Sequence, residues 1–136
     1  MTYTEPDAIA AIARAIQTEQ NYVFAAGLAG AFLRGAGRRR AVNQLAEHRA
    51  RLQANAALVD PADVPPTPPG FTPESPITDP KTARSALAAL SNVLVGVYAD
   101  VASVTEGADR ATAIGWAQAS ARDAVRWGAA SQAFPT

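Results

Sequence analysis

Apolar residues recur at three- and four-residue intervals in four stretches of the chain, and each stretch predicts an amphipathic helix. In the first, Ile9, Ile12, Ile16, Val23, Ala26, Gly30 and Leu33 share one face, with Glu19 halfway along it. This predicts a helix from about residue 5 to residue 34. Thr4 is placed to cap it, with Asp7 in the capping-box position. Pro6 falls in the first turn, where it removes no needed hydrogen bond, and Gly35 and Gly37 supply the stop. The second stripe, Ala41, Leu45, His48, Leu52, Ala56 and Val59, predicts a helix over about 38–59, ended by Asp60 and Pro61. The third is the most regular: Ala83, Leu87, Leu90, Leu94, Val97, Val101 and Val104. It predicts a helix over about 81–104, with Asp79 as N-cap and Pro80 in the first turn. Beyond Gly107, the stripe Ala111, Ile114, Gln118, Ala121 and Val125 predicts a fourth helix over about 108–130, with Trp116 and Trp127 on an adjoining face.

Between the second and third stripes the composition changes abruptly. Residues 60–80, DPADVPPTPPGFTPESPITDP, hold eight of the ten prolines, so this segment is neither helix nor inner strand. Proline-rich chain rises ~3.1 Å per residue, so about twenty such residues could span ~60 Å, against ~33 Å for a helix of ~22 residues. The segment can therefore cross the whole length of a helical bundle. Two independent hairpins joined by a hinge are the alternative, but each would leave its stripe exposed and could hardly offset its ordering entropy. Helix, short turn, helix, long crossover, helix, short turn, helix predicts an all-α, ferritin-like up-down-down-up four-helix bundle. One domain over residues 1–136 is the expected organisation.

Three of the four stripes carry a polar residue near mid-helix: Glu19, His48 and Gln118. An ionised carboxylate in apolar surroundings needs a partner. His48 is the evident one, and the Gln118 amide could complete a polar layer. The layer reads either as a hydrogen-bonded network that fixes helix register or as a metal or proton-transfer site. Alternatively, Glu19 lies at the stripe edge and reaches water. A di-iron centre in such a bundle needs a Glu from each of two helices and a Glu-x-x-His pair from each of the other two. Here Leu45 stands where a Glu would pair with the single histidine, the third helix has no Glu, and the fourth offers Asp123 without a His. The conventional centre is therefore rejected. What remains of the metal reading is a single iron, manganese or zinc ion held weakly by Glu19, His48 and water.

Several pieces taken in order resemble a family of small actinobacterial ferritin-like proteins of unassigned function. They are TEQNYVFAAG (18–27), AEHRARL (46–52), PITDPKTARSALAAL (76–90), VYADV (97–101), ARDAVRWG (121–128) and AFPT (133–136). The resemblance covers nearly the whole chain. It implies a ferritin-like four-helix bundle, a homodimer and no established reaction. Two positions depart from the family's pattern: Gln20 follows Glu19 where the family often has His, and Ser91 follows Leu90 where it often has an acidic residue. Both changes remove potential ligands.

Charge and composition narrow the rest. Twelve basic and twelve acidic residues give a formal net charge of zero, which argues against a general attraction to nucleic acid or anionic membrane. The basic turn RGAGRRR (34–40), with Arg49 and Arg51, could fork phosphates but lacks the aromatic interleaving of single-strand binders. The absence of Cys excludes disulfides and thiol chemistry. No nucleophile elbow or glycine-rich phosphate loop is present. Gly27 and Gly30 each cost ~1 kcal/mol against Ala inside a helix, so they predict close approach of another helix, within the bundle or across a dimer. Trp116 and Trp127 are expected to cover the bundle or anchor the crossover, where Phe71 could pack, and Phe134 anchors the tail. The N-terminus lacks a signal-peptide pattern, and the apolar run from Tyr22 to Leu33 falls short of the ~20 residues a membrane span needs. The expected protein is a non-catalytic cytoplasmic bundle acting as a homodimer or with an unknown protein partner. The alternatives are a metal-binding protein or metal-dependent oxidoreductase with a reduced site at Glu19 and His48, and a carrier of small apolar ligands in the Ala-rich interior.

Overall fold

The structure is a computed structural model that describes residues 2–70, 73 and 76–129. The expectations for Phe71 and Phe134 lie outside the described residues. Four α-helices follow in order, α1 (Pro6–Phe32), α2 (Gly35–Ala56), α3 (Pro80–Val104) and α4 (Gly107–Arg126), with a 3-10 turn at Pro61–Asp63. No strand occurs among the described residues.

The helix ends show how the sequence sets each boundary. The two short turns share one form: two extended residues, then a glycine at φ +56°, as Leu33-Arg34-Gly35 and Thr105-Glu106-Gly107. That left-handed conformation favours glycine. Gly35 therefore begins α2 rather than ending α1, and Gly37 lies inside α2. The second helix also ends earlier than predicted, at Ala56, and the fourth at Arg126. Thr4 does not cap α1; Glu5 occupies the N-cap without a side-chain bond, and Pro6 takes the first position. Asp79 caps α3 as predicted, in a reciprocal capping box with Thr82.

Cross-helix contacts define the arrangement. Along α1, Tyr3, Glu19 and Tyr22 meet Leu58, His48 and Gln44, so partners on the α2 side recede as α1 advances. Arg14 and Glu19 likewise meet Asp100 and Tyr98 of α3. Between α3 and α4, Ala102 accepts from Arg110, and Tyr98 packs edge-on to Trp116. The Tyr3 hydroxyl donates to Asp109 at 2.7 Å and accepts from the Glu106 amide, tying the chain start to the α3–α4 turn. Buried Val59 and Ile77 hold the two ends of the crossover to the core. Within α3 lies a stretch long and apolar enough to cross a membrane by length and composition, but Leu87, Leu94, Val97 and Val101 are buried in the core formed with its neighbours.

The registers of α1 and α3 follow the predicted stripes: Ile12, Ile16, Glu19, Ala26, Gly30 and Leu33 are buried on α1. Those of α2 and α4 do not. On α2 the buried positions are Ala41, Gln44, His48, Arg51 and Asn55, and Leu45 and Leu52 are only half-buried. On α4 they are Ala113, Ser120, Asp123 and Ala124, while Ala111, Ile114, Gln118 and Val125 are exposed. Gly27 and Gly30 differ in their surroundings among the described residues. A Cβ on Gly30 would meet nothing within 4 Å, and one on Gly27 would make an ordinary 3.5 Å contact with Leu45.

The α3 cap carries a testable pH dependence. The Thr82 backbone amide, then the Thr82 hydroxyl, hold the exposed Asp79 carboxyl below its ordinary value of 3.8. The cap therefore stabilises the fold above the unfolded-state value and loses that effect as pH falls through the lower folded-state value. Asp79→Ala is expected to lower the urea midpoint at about pH 6 and to converge with the parent chain towards about pH 3. A constant gap across that range would show that the carboxylate is not the source.

Candidate functional site: a buried polar layer

At mid-depth α1 places Glu19, fully buried, against α2 and α3 at once. His48 Nδ1 lies 2.6 Å from Glu19 Oε1, and the Tyr98 hydroxyl donates to Oε2, also at 2.6 Å. Asn55 Nδ2 donates to the Tyr98 oxygen at 3.1 Å and to the Arg51 carbonyl at 3.0 Å. Tyr98 thus has its oxygen lone pair engaged and its proton directed to Glu19. A carboxylate accepts, so His48 Nδ1 carries a proton and donates to Glu19.

A second group of bonds adjoins the first. The Tyr22 ring stacks on His48, with centroids 3.8 Å apart and an interplanar angle of 20°. Its hydroxyl donates to Gln44 Oε1, which also accepts from Trp127 Nε1 at 2.9 Å. Three helices and the end of α4 therefore meet through Glu19, His48, Tyr98, Tyr22, Gln44 and Trp127. On the α2–α4 side, the Arg51 guanidinium lies 5.8 Å from the Trp116 ring centre, and Arg40 lies over Trp127. Asp123 is buried facing this seam. Desolvation raises its carboxyl above the ordinary range, and Arg51 and His48 oppose that rise.

Burial also governs the tyrosines. Desolvation pushes the Tyr22 phenol up to about 12. For Tyr98, desolvation and then the Glu19 charge push the phenol well above its usual value. Several buried polar atoms have no partner among the described residues: His48 Nε2, Arg51 Nη1, Asn55 Oδ1, Ser91 Oγ and Ser120 Oγ.

Of the predicted layer, Glu19 and His48 lie together in the core, and Gln118 is exposed on α4. Tyr98 fills the role assigned to Gln118. It was missed because it follows Val97 of the apolar stripe, although the 3-4 series Leu87, Ser91, Leu94, Tyr98, Val101 carries it to the core. Gln44 and Asn55 are likewise four before and seven after His48, and so share its face. Of the expected packing residues, Trp127 is buried and Trp116 half-buried over the layer, and Gly27 lies exposed on the outer side of α1. Both Glu19 oxygens already accept hydrogen bonds, and no group of three His, Cys, Asp or Glu suited to a metal occurs among the described residues. Free valence is left at His48 Nε2.

Residues 11–136 match the family described as Domain of unknown function (DUF4439). The fold is similar to the crystal structure of a conserved hypothetical protein, rv2844, from Mycobacterium tuberculosis, with a TM-score of 0.81 and 22% identity over 91% of this chain and 97% of that one. No curated protein matches.

Glu19→Ala leaves His48 and Tyr98 buried without their shared acceptor and is expected to cost about 3–5 kcal/mol in urea unfolding. Tyr98→Phe should cost about 1–3 kcal/mol, and Gln118→Ala should stay within about 0.5 kcal/mol of the parent. Equal effects at Glu19 and Gln118 would overturn the assignment. Tyr22 and Tyr98 favour the protonated form in the folded state, so their contribution is complete below about pH 10 and falls as pH rises above it. Absorbance titration at alkaline pH should show both phenols ionising only as the chain unfolds.

Proposed function

We propose, for a chain that belongs to the DUF4439 family and takes no reaction from it, that it is a non-catalytic cytoplasmic four-helix bundle of ferritin-like, up-down-down-up form that works by pairing with a second copy of itself. The receding partners of α1 on both α2 and α3, together with the crossover between those two helices, support that topology. The buried layer is read as its internal fastener, because the core carboxylate spends both oxygens on helix-to-helix bonds.

One observation carries the pairing. The apolar stripe of α4 that predicts a core face, Ala111, Ile114 and Val125, is exposed, with Ile114 and Val125 each at 45%. Val93 on the neighbouring α3 is exposed at 44%, and Ala89, Gly96 and Gly115 on the same two helices are small and exposed. A face of small and branched apolar residues at helical spacing suits a twofold contact, in which the same patch serves both copies. Light scattering at micromolar concentration should give twice the 14.1 kDa chain mass. Ile114→Glu should give the monomer with unchanged helicity by circular dichroism. A monomeric parent chain overturns the reading.

A second reading rests on His48. Its Nδ1 is held by a carboxylate and its Nε2 has no partner, which is how metal-binding histidines are oriented. In this form Glu19 orients the ring instead of ligating, and a single divalent ion would sit on Nε2 towards Asp123. Elemental analysis separates the two: the first reading expects substoichiometric metal that ignores His48→Gln, and the second expects one ion per chain that the substitution removes.

A further inference from the structure

A groove of about 710 Å³ lies between α1, α2 and the proline-rich crossover, and no residue of α3 or α4 lines it. Its walls are Val23, Phe24 and Leu28 from α1, and Leu45 and Leu52 from α2. Those two leucines point here because Gln44, His48, Arg51 and Asn55 hold the inward face of α2. Pro68 and Gly70 form part of the crossover wall. Pro68 lies in a segment with Pro65, Pro66 and Pro69, all of fixed φ, so the wall is stiff. At Gly27 the floor is bare: a Cβ there would only touch Leu45, at 3.5 Å.

Size and lining suit a small molecule rather than a helix. The volume falls within the roughly 300–1,000 Å³ typical of small-ligand sites. From Gln20 to Leu28 the groove advances ~12 Å along α1, the length of a medium acyl chain. Arg49 is the single charged residue lining it, and among the described residues it makes no ion pair or hydrogen bond. A guanidinium at the edge of an apolar slot is complementary to a carboxylate on an aliphatic tail.

We infer that this groove binds a medium-chain amphiphile with one carboxylate head. The tail lies along Leu28, Val23, Leu45 and Leu52, and the head meets Arg49. The site is separate from the proposed pairing face on α3 and α4, so either can fail without the other.

The test uses decanoate and decanol with the full chain, by calorimetry and native mass spectrometry. The parent chain is expected to bind one decanoate. Arg49→Glu should weaken decanoate about tenfold or more and leave decanol within about threefold. Gly27→Leu fills the groove and replaces a helical glycine, so it should abolish both ligands without lowering the melting temperature. Three results overturn the proposal: no decanoate bound by the parent chain, Arg49→Glu indifferent to the head group, or Gly27→Leu binding as before. Loss of a dimer in Gly27→Leu would also overturn it, by assigning the groove to a second copy.

Discussion

The Glu19 carboxylate is the constraint on which the arrangement depends. It is fully buried, and a buried charge is tolerable only with partners at both oxygens. Those partners come from two other helices, His48 and Tyr98. One side chain therefore fixes the axial position of α2 and α3 against α1. A slip of α1 by one turn, ~5.4 Å, would carry the carboxylate away from both donors, while apolar side chains could repack. Hydrogen bonds are directional in a way that leucine contacts are not, and this is how a costly group comes to specify a register.

The consequences spread through α2. To support His48 and Tyr98, that helix turns Gln44, Arg51 and Asn55 inward as well. Its leucines are then displaced to the outer side, where Leu45 and Leu52 line the groove beneath the crossover. α4 meets this polar face with Ser120, Asp123 and Trp127. Its own branched residues, Ile114 and Val125, are turned to the surface. The two outward apolar features, the groove and the exposed face of α4, are thus products of one polar interior. Where a helix has both a polar and an apolar face, what it packs against decides which one is buried.

The same bonds set which polar atoms of the layer are engaged. Both Glu19 oxygens accept a hydrogen bond, whereas His48 Nε2 has no partner among the described residues. Partnerless atoms on Arg51, Ser91 and Ser120 are also buried. Polar, enclosed positions of this kind are where internal water is ordinarily held.

The sequence by itself determined the four helices, the two glycine turns and the proline crossover, and it put Glu19 and His48 on facing stripes without deciding whether Glu19 was buried or at an edge. These are local or strongly periodic signals: φ at Gly35 and Gly107, the missing donors of the prolines, the Asp79–Thr82 cap, and the unbroken 3-4 spacing of α1 and α3. Tertiary structure alone decided the faces of α2 and α4. Both helices offer two stripes of similar period, and hydrophobicity favours the stripe with Leu45 and Leu52, or with Ile114 and Val125. The choice went the other way because the energy of satisfying Glu19 and its partners belongs to contacts between helices, and no periodicity within one helix records it.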